Sequence, residues 1–149
     1  MIISFCGHST FTKSDKYAAV VFRIIENAAK GKDIEFYLGG YGLFDEFAFR
    51  IACEYRKKHE NAKLFFITPY VYENYSKLAF AEKYDGVIYP ELESVPKRYA
   101  IIRRNYWIVE KSDLIIAYVN HSWGGAHKMY ERAKKLGKRI INLRDISEE

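Results

Sequence analysis

The sequence predicts an α/β protein, a Rossmann-like three-layer α/β/α sandwich with a mostly parallel sheet, folded as one domain over residues 1–149. Three observations carry this. Short β-rich runs alternate with amphipathic helical segments, most of the runs are apolar throughout as strands buried on both faces are, and the connections are short. A chain of 149 residues suits a single core.

Taken in order, the first strand is expected at Ile2–Cys6. A helix follows, with Ser14 as its N-cap, a buried stripe through Ala18, Val21, Phe22, Ile25, Ala28 and Ala29, and Gly31 as a left-handed cap. The second strand is Ile34–Leu38, and the second helix carries Phe44, Phe47, Ala48, Ile51, Ala52 and Tyr55 at spacings of three and four. Leu64–Thr68 reads as the third strand. Between Pro69 and Pro96 a tyrosine-rich stretch predicts a helix around Tyr72–Lys83 and a short strand at Gly86–Tyr89. A helical run then spans Ala100 to Val109, followed by a strand at Leu114–Val119. The last helix has its stripe at Ala126, Met129, Tyr130 and Ala133 and its cap at Gly137, and the last strand is Arg139–Leu143. Right-handed crossovers between parallel strands then place helices on both faces.

Apolar residues make up 49% and charged residues 29%, which excludes a disordered or fibrous chain. Thirteen Tyr and ten Phe supply buried area and ring faces on which a base could stack. The net charge of +5 is concentrated near the C-terminus: residues 97–144 carry 12 basic and 3 acidic side chains, against 12 and 13 in residues 1–96. That excess favours an anionic partner. The cysteines, Cys6 and Cys53, form neither a disulfide framework nor a zinc pattern, and Leu114–Val119 is too short to span a bilayer. A reducing compartment, the cytoplasm, is expected, with no membrane partner, no metal and no cofactor. Oligomeric state is not legible, and a homodimer stays open.

In an open parallel sheet, ligands bind beyond the carboxyl ends of the strands. Three glycine-bearing loops are expected there: Gly7-His8-Ser9-Thr10, Gly39-Gly40-Tyr41-Gly42 and Asn120-His121-Ser122-Trp123-Gly124-Gly125. The latter two run into helices, so uncapped N–H groups can meet a phosphate. Neither is a Walker loop or a dinucleotide fingerprint. Asp45 and Glu46 follow in the first helical turn, where a carboxylate suits the dipole and could also hold ribose hydroxyls or stabilise an oxocarbenium-like centre. Arg103, Arg104 and Asn105 interrupt an apolar helix. Neighbours point about 100° apart, so one arginine faces solvent and Arg104 is expected to face a ligand. His8 and His121 could donate to phosphate or act as acid or base.

Four segments resemble the SLOG superfamily, named for its Smf/DprA and Lonely-guy members. They are Ser4-Phe5-Cys6-Gly7-His8, the turn from Gly39 to Asp45, the stretch from Arg104 to Asp113, and Asn120-His121-Ser122-Trp123-Gly124-Gly125-Ala126. The chain looks most like the small YpsA-like proteins of that group. The resemblance implies a Rossmann-like sandwich that binds nucleotides or nucleotide-derived ligands. In the Lonely-guy branch it implies a phosphoribohydrolase with the motif Pro-Gly-Gly-x-Gly-Thr-x-x-Glu. Gly39, Gly40, Gly42 and Glu46 match its spacing, while Leu38 and Leu43 stand where the motif has Pro and Thr.

The leading expectation is a non-catalytic nucleotide sensor or binding module. Phosphate would lie over Gly39–Gly42 and Gly124–Gly125, paired with Arg104 and Asn105, with Gly7 and His8 alongside, Asp45 on ribose, and Tyr41 or Trp123 on the base. A nucleoside 5′-monophosphate N-glycosidase using Asp45 or Glu46 is the alternative. Nucleic-acid binding through the basic C-terminal third is a further one, with a small phosphate ligand ahead of nucleic acid.

Overall fold

The computed structural model describes residues 1–71 and 83–146; the helix expected around Tyr72–Lys83 lies almost wholly outside them. Six strands, β1 (Ile2–Gly7), β2 (Ile34–Leu38), β3 (Ala62–Ile67), β4 (Gly86–Ile88), β5 (Leu114–Tyr118) and β6 (Ile140–Asn142), form one sheet in the order β4-β3-β2-β1-β5-β6. Every pairing is parallel, so the mostly parallel expectation is met in full. The helices are α1 (Ser14–Ala29), α2 (Leu43–Lys58), α3 (Ala100–Lys111) and α4 (Gly125–Lys135).

The strands are apolar throughout because both faces are covered. Ile3 and Phe5, Phe36 and Leu38, and Leu114, Ile116 and Tyr118 face the layer built by α1 and α2. Their alternates Cys6, Tyr37, Ile115, Ala117 and Val119 face Ile108 and Val109 of α3 and Met129 and Ala133 of α4. This is the period-two alternation of a strand feeding two cores. Most tyrosines of the described chain go into packing. Tyr17, Tyr55 and Tyr118 are buried among other rings, and Tyr37 stacks on Trp107 with centroids 5.7 Å apart. Behind the sheet, the buried Ser4 and Ser112 hydroxyls share a 2.6 Å hydrogen bond, and Ser112 Oγ donates to Ile108 O. This fixes the end of α3 against β1.

Two helix ends differ from expectation. Ser14 is the first helical residue, with Lys13 at the N-cap and no side chain capping the turn, and the left-handed conformation after α1 falls on Lys30 as well as Gly31. Gly137 behaves as expected. Its N–H donates to Lys134 O and that of Lys138 to Ala133 O, the paired bonds of a Schellman ending.

The site is positioned by topology. From β1 the chain moves outward through β2, β3 and β4, then returns to the other side of β1 for β5 and β6. The reversal opens a crevice at the carboxyl ends of β1 and β5, where loops from three strands meet.

Candidate functional site

The loop after β1 is pinned by Phe11, whose ring lies 5.0–5.1 Å from those of Phe44, Phe47 and Tyr118. A Cβ on Gly7 would collide with Phe44, so glycine there lets α2 cross close to the end of β1. The loop after β5 is fixed by His8, whose Nε2 accepts from Asn120 N at 3.0 Å. That bond places the imidazole proton on Nδ1, and burial, helped by the neighbouring His121, holds the His8 pKa below its ordinary value. His8, His121 and Trp123 stack in a column with successive centroids 3.6 and 3.8 Å apart, ending in a Trp123 ring that is 67% exposed. His121 Nδ1 is sealed from solvent without a hydrogen-bond partner.

These loops enclose one side of a cavity of about 610 Å3, within the range of small-molecule sites. Gly7, His8, Gly39, Tyr41, Asp45, Arg104, Asn105, Trp123, Gly124 and Gly125 all line it. Three residues expected with them do not. Glu46 and Gly40 line an adjoining depression of about 500 Å3, which Asp45 also borders, with Phe49, Arg50 and Phe66, and Gly42 packs on the Ser9 backbone. Glu46 is turned away because successive helical residues point about 100° apart. Of the two carboxylates, only Asp45 lines the cavity.

Asp45 Oδ2 accepts from Tyr41 N at 2.8 Å, a back-bond across the start of α2. Its position in the wall removes enough water to raise its pKa to about 6, against the pull of the Tyr41 N–H and Arg104. Arg104 is 2% exposed. Its Nη1 donates to Ile67 O at 2.6 Å and Gly39 O at 3.0 Å, and its Nε to Asn105 Oδ1 at 2.9 Å. Arg103 is exposed, as the helical spacing requires.

The cavity also takes Ser9 and Thr10 from the β1 loop, Cys6 from its floor, and Ile101, Ile108 and Met129 from the helices. Ser9 and Thr10 could have been read from their place after Gly7. Ile101 and Ile108 could not, because one turn-repeat of apolar residues is indistinguishable from core. The Cys6 thiol donates to Ala126 O, and burial raises its pKa, so it serves as floor. Among the described residues, no group of three or more His, Cys, Asp or Glu side chains could hold a metal ion, and no helix is long and apolar enough to cross a membrane.

No family model matches the sequence, and neither does any curated protein. Solved structures do match. DNA processing protein A (DprA) from Streptococcus pneumoniae superposes with a TM-score of 0.64 at 15% identity over 93% of this chain. DprA from Helicobacter pylori, described in its single-stranded DNA binding mode, gives 0.64 at 16% over 94%. The chain shares the fold of these DprA structures. A structural-genomics target, TM1055, shares that fold with a TM-score of 0.61 at 16% identity, over 97% of this chain and 74% of its own. This chain spans 48% of the length of the first DprA and 63% of the second.

Proposed function

We propose that this chain binds a nucleotide-derived small ligand in the cavity and does not hydrolyse it. One observation carries the reading. The start of α4, at Gly124 and Gly125, meets the same cavity as Asp45 and the exposed Tyr41 and Trp123 rings; it has no side-chain cap and no acid in its first turn. Its N–H groups and dipole suit a phosphate. Asp45 then accepts from ribose hydroxyls, and Trp123 or Tyr41 takes the base. The resemblance to nucleotide-binding SLOG proteins, and to the YpsA-like ones among them, points the same way. Hydrolysis is disfavoured because Asp45 is the one carboxylate among the described residues that line the cavity.

A thermal-shift panel of nucleoside mono-, di- and triphosphates tests it. At a hundredfold excess over Kd, a binder adds about 2.7 kcal/mol. No stabilisation by any nucleotide defeats the reading, and free base released on incubation, abolished in Asp45→Asn, replaces it with the hydrolase.

Nucleic-acid binding is the second reading. It is favoured by Lys128, Arg132, Lys134 and Lys135, which line a separate depression on α4, with Arg132 over the Tyr106 ring at 5.3 Å and Lys134 over Tyr130 at 5.3 Å. Binding of single-stranded DNA that falls steeply with salt would support it, and absent or salt-insensitive binding would end it.

A further inference from the structure

Arg104 heads the fully buried side chains of the described residues by volume. Burying a guanidinium is costly unless both its donors and its charge are answered. The Nη1 and Nε donors are answered by neutral oxygens, Gly39 O at the end of β2, Ile67 O at the end of β3, and Asn105 Oδ1 on α3, while Nη2 has no hydrogen-bond partner among the described residues. The charge is answered by Asp45. Asp45 Oδ2 and Arg104 Nη2 each lie 3.4 Å from the point where a Cβ on Gly39 would stand, so the two groups flank the same glycine. The Tyr41 ring lies 5.4 Å from the guanidinium carbon. Turning Nη1 onto a phosphate would leave two strand-end carbonyls without their donor, a loss the ligand contact would have to offset, so Nη1 stays with the strands and only Nη2 is free to meet a ligand.

We propose that Arg104 is a positioning residue of this site: it ties the carboxyl ends of β2 and β3 to α3 and holds Asp45 as a charged acceptor facing the cavity, and its Nη1 and Nε bonds stay in place when a ligand's phosphate binds. The last clause rests on the ligand reading above; the rest concerns the free protein. The groups acting on Asp45 are the Tyr41 N–H from the α2 turn, Arg104 from α3, the Cys6 thiol from β1 and the Tyr84 phenol ahead of β4. At neutral pH the last two are uncharged, their own pKa values raised by burial and by Asp45. Arg104 is therefore the cation that opposes desolvation of the carboxylate.

The test is an NMR titration of the Asp45 carboxyl carbon in the ligand-free protein. Arg104→Gln should raise the midpoint by about one unit, a tenfold change in ionisation constant. Arg104→Lys keeps the charge and should stay close to wild type in midpoint while melting at a lower temperature, since an ammonium cannot reproduce the fork that holds both carbonyls. An unchanged midpoint in Arg104→Gln overturns the proposal. If that variant does not fold, the wild type decides: the Arg104 Nη nitrogen signals should move with the Asp45 midpoint, and signals that stay still through it overturn the proposal equally. Adding AMP to the wild type then tests the last clause. Shifts at Gly124 and Gly125 without loss of the Arg104 Nη1 and Nε hydrogen bonds support it; loss of either on binding defeats it. AMP that shifts nothing counts against the ligand reading, and the titration still decides the role of Arg104.

Discussion

The turns that open α2 and α4 have almost the same backbone and opposite surroundings. Gly42 sits at φ 88°, ψ 175° and Gly124 at φ 89°, ψ 175°, each after an aromatic residue and each just before a helix. The α2 turn is closed: Leu43 N donates to Ser9 O, Asp45 and Glu46 occupy its first turn, and a Cβ on Gly42 would come within 2.6 Å of Ser9 Cα. At Gly124 and Gly125 a Cβ would meet nothing within 4 Å. Glycine in the first turn permits close packing between loops; in the second it leaves a helix start open. Two like motifs thus differ in what they offer the cavity, with the α2 turn supplying Asp45 and the α4 turn, on the proposed reading, the anion seat.

The largest expected effect breaks the closed turn. Gly42→Ala adds backbone strain at positive φ and a collision with the Ser9 backbone, and should cost roughly 3–5 kcal/mol in urea denaturation. Gly124→Ala carries the strain alone and should cost about 1–2 kcal/mol. Equal losses would mean that the two turns do not differ as described.

Giving the open turn the acid of the closed one comes next. Gly125→Asp should weaken binding of a nucleoside monophosphate at least tenfold, about 1.4 kcal/mol by calorimetry, because a carboxylate then competes for the helix start. Unchanged affinity would move the phosphate away from α4.

A smaller effect concerns pH. Asp45 has its folded pKa raised from 3.8 to about 6, so the folded state holds its proton more tightly than the unfolded chain. Its contribution to stability is fully present below about pH 4 and is lost as pH rises through 6. Denaturation at pH 4, 5 and 7 should show that slope in the wild type and a flatter one in Asp45→Asn. The smallest change is expected from Lys134→Ala with Lys135→Ala, which should leave monophosphate affinity within about twofold by the low value of exposed charges. A clear loss there would shift weight to the basic face.

Much of this was legible in the residues. The stripes of α1, α2 and α4 and the doubly buried strands follow from periodicity, and the three glycine loops were assigned to the correct sheet edge because parallel topology leaves them nowhere else. Less legible was the choice between neighbours. Asp45 and Glu46 are equivalent as first-turn acids, and only the rotation of α2, set by Phe44 and Phe47 packing beside Phe11, turns Asp45 into the cavity. Arg104 was expected to face a ligand and lines the cavity, yet its Nη1 donors are spent on carbonyls 37 and 65 residues away.

The sequence by itself determined the layer order, the strand and helix faces and the edge on which a site can form, since these rest on local periodicity and chain connectivity. Tertiary structure alone decided which glycine turn is closed and which is open, and what the buried arginine holds. Those outcomes depend on contacts between segments far apart in the chain, where a few ångströms separate a packing contact from an open seat.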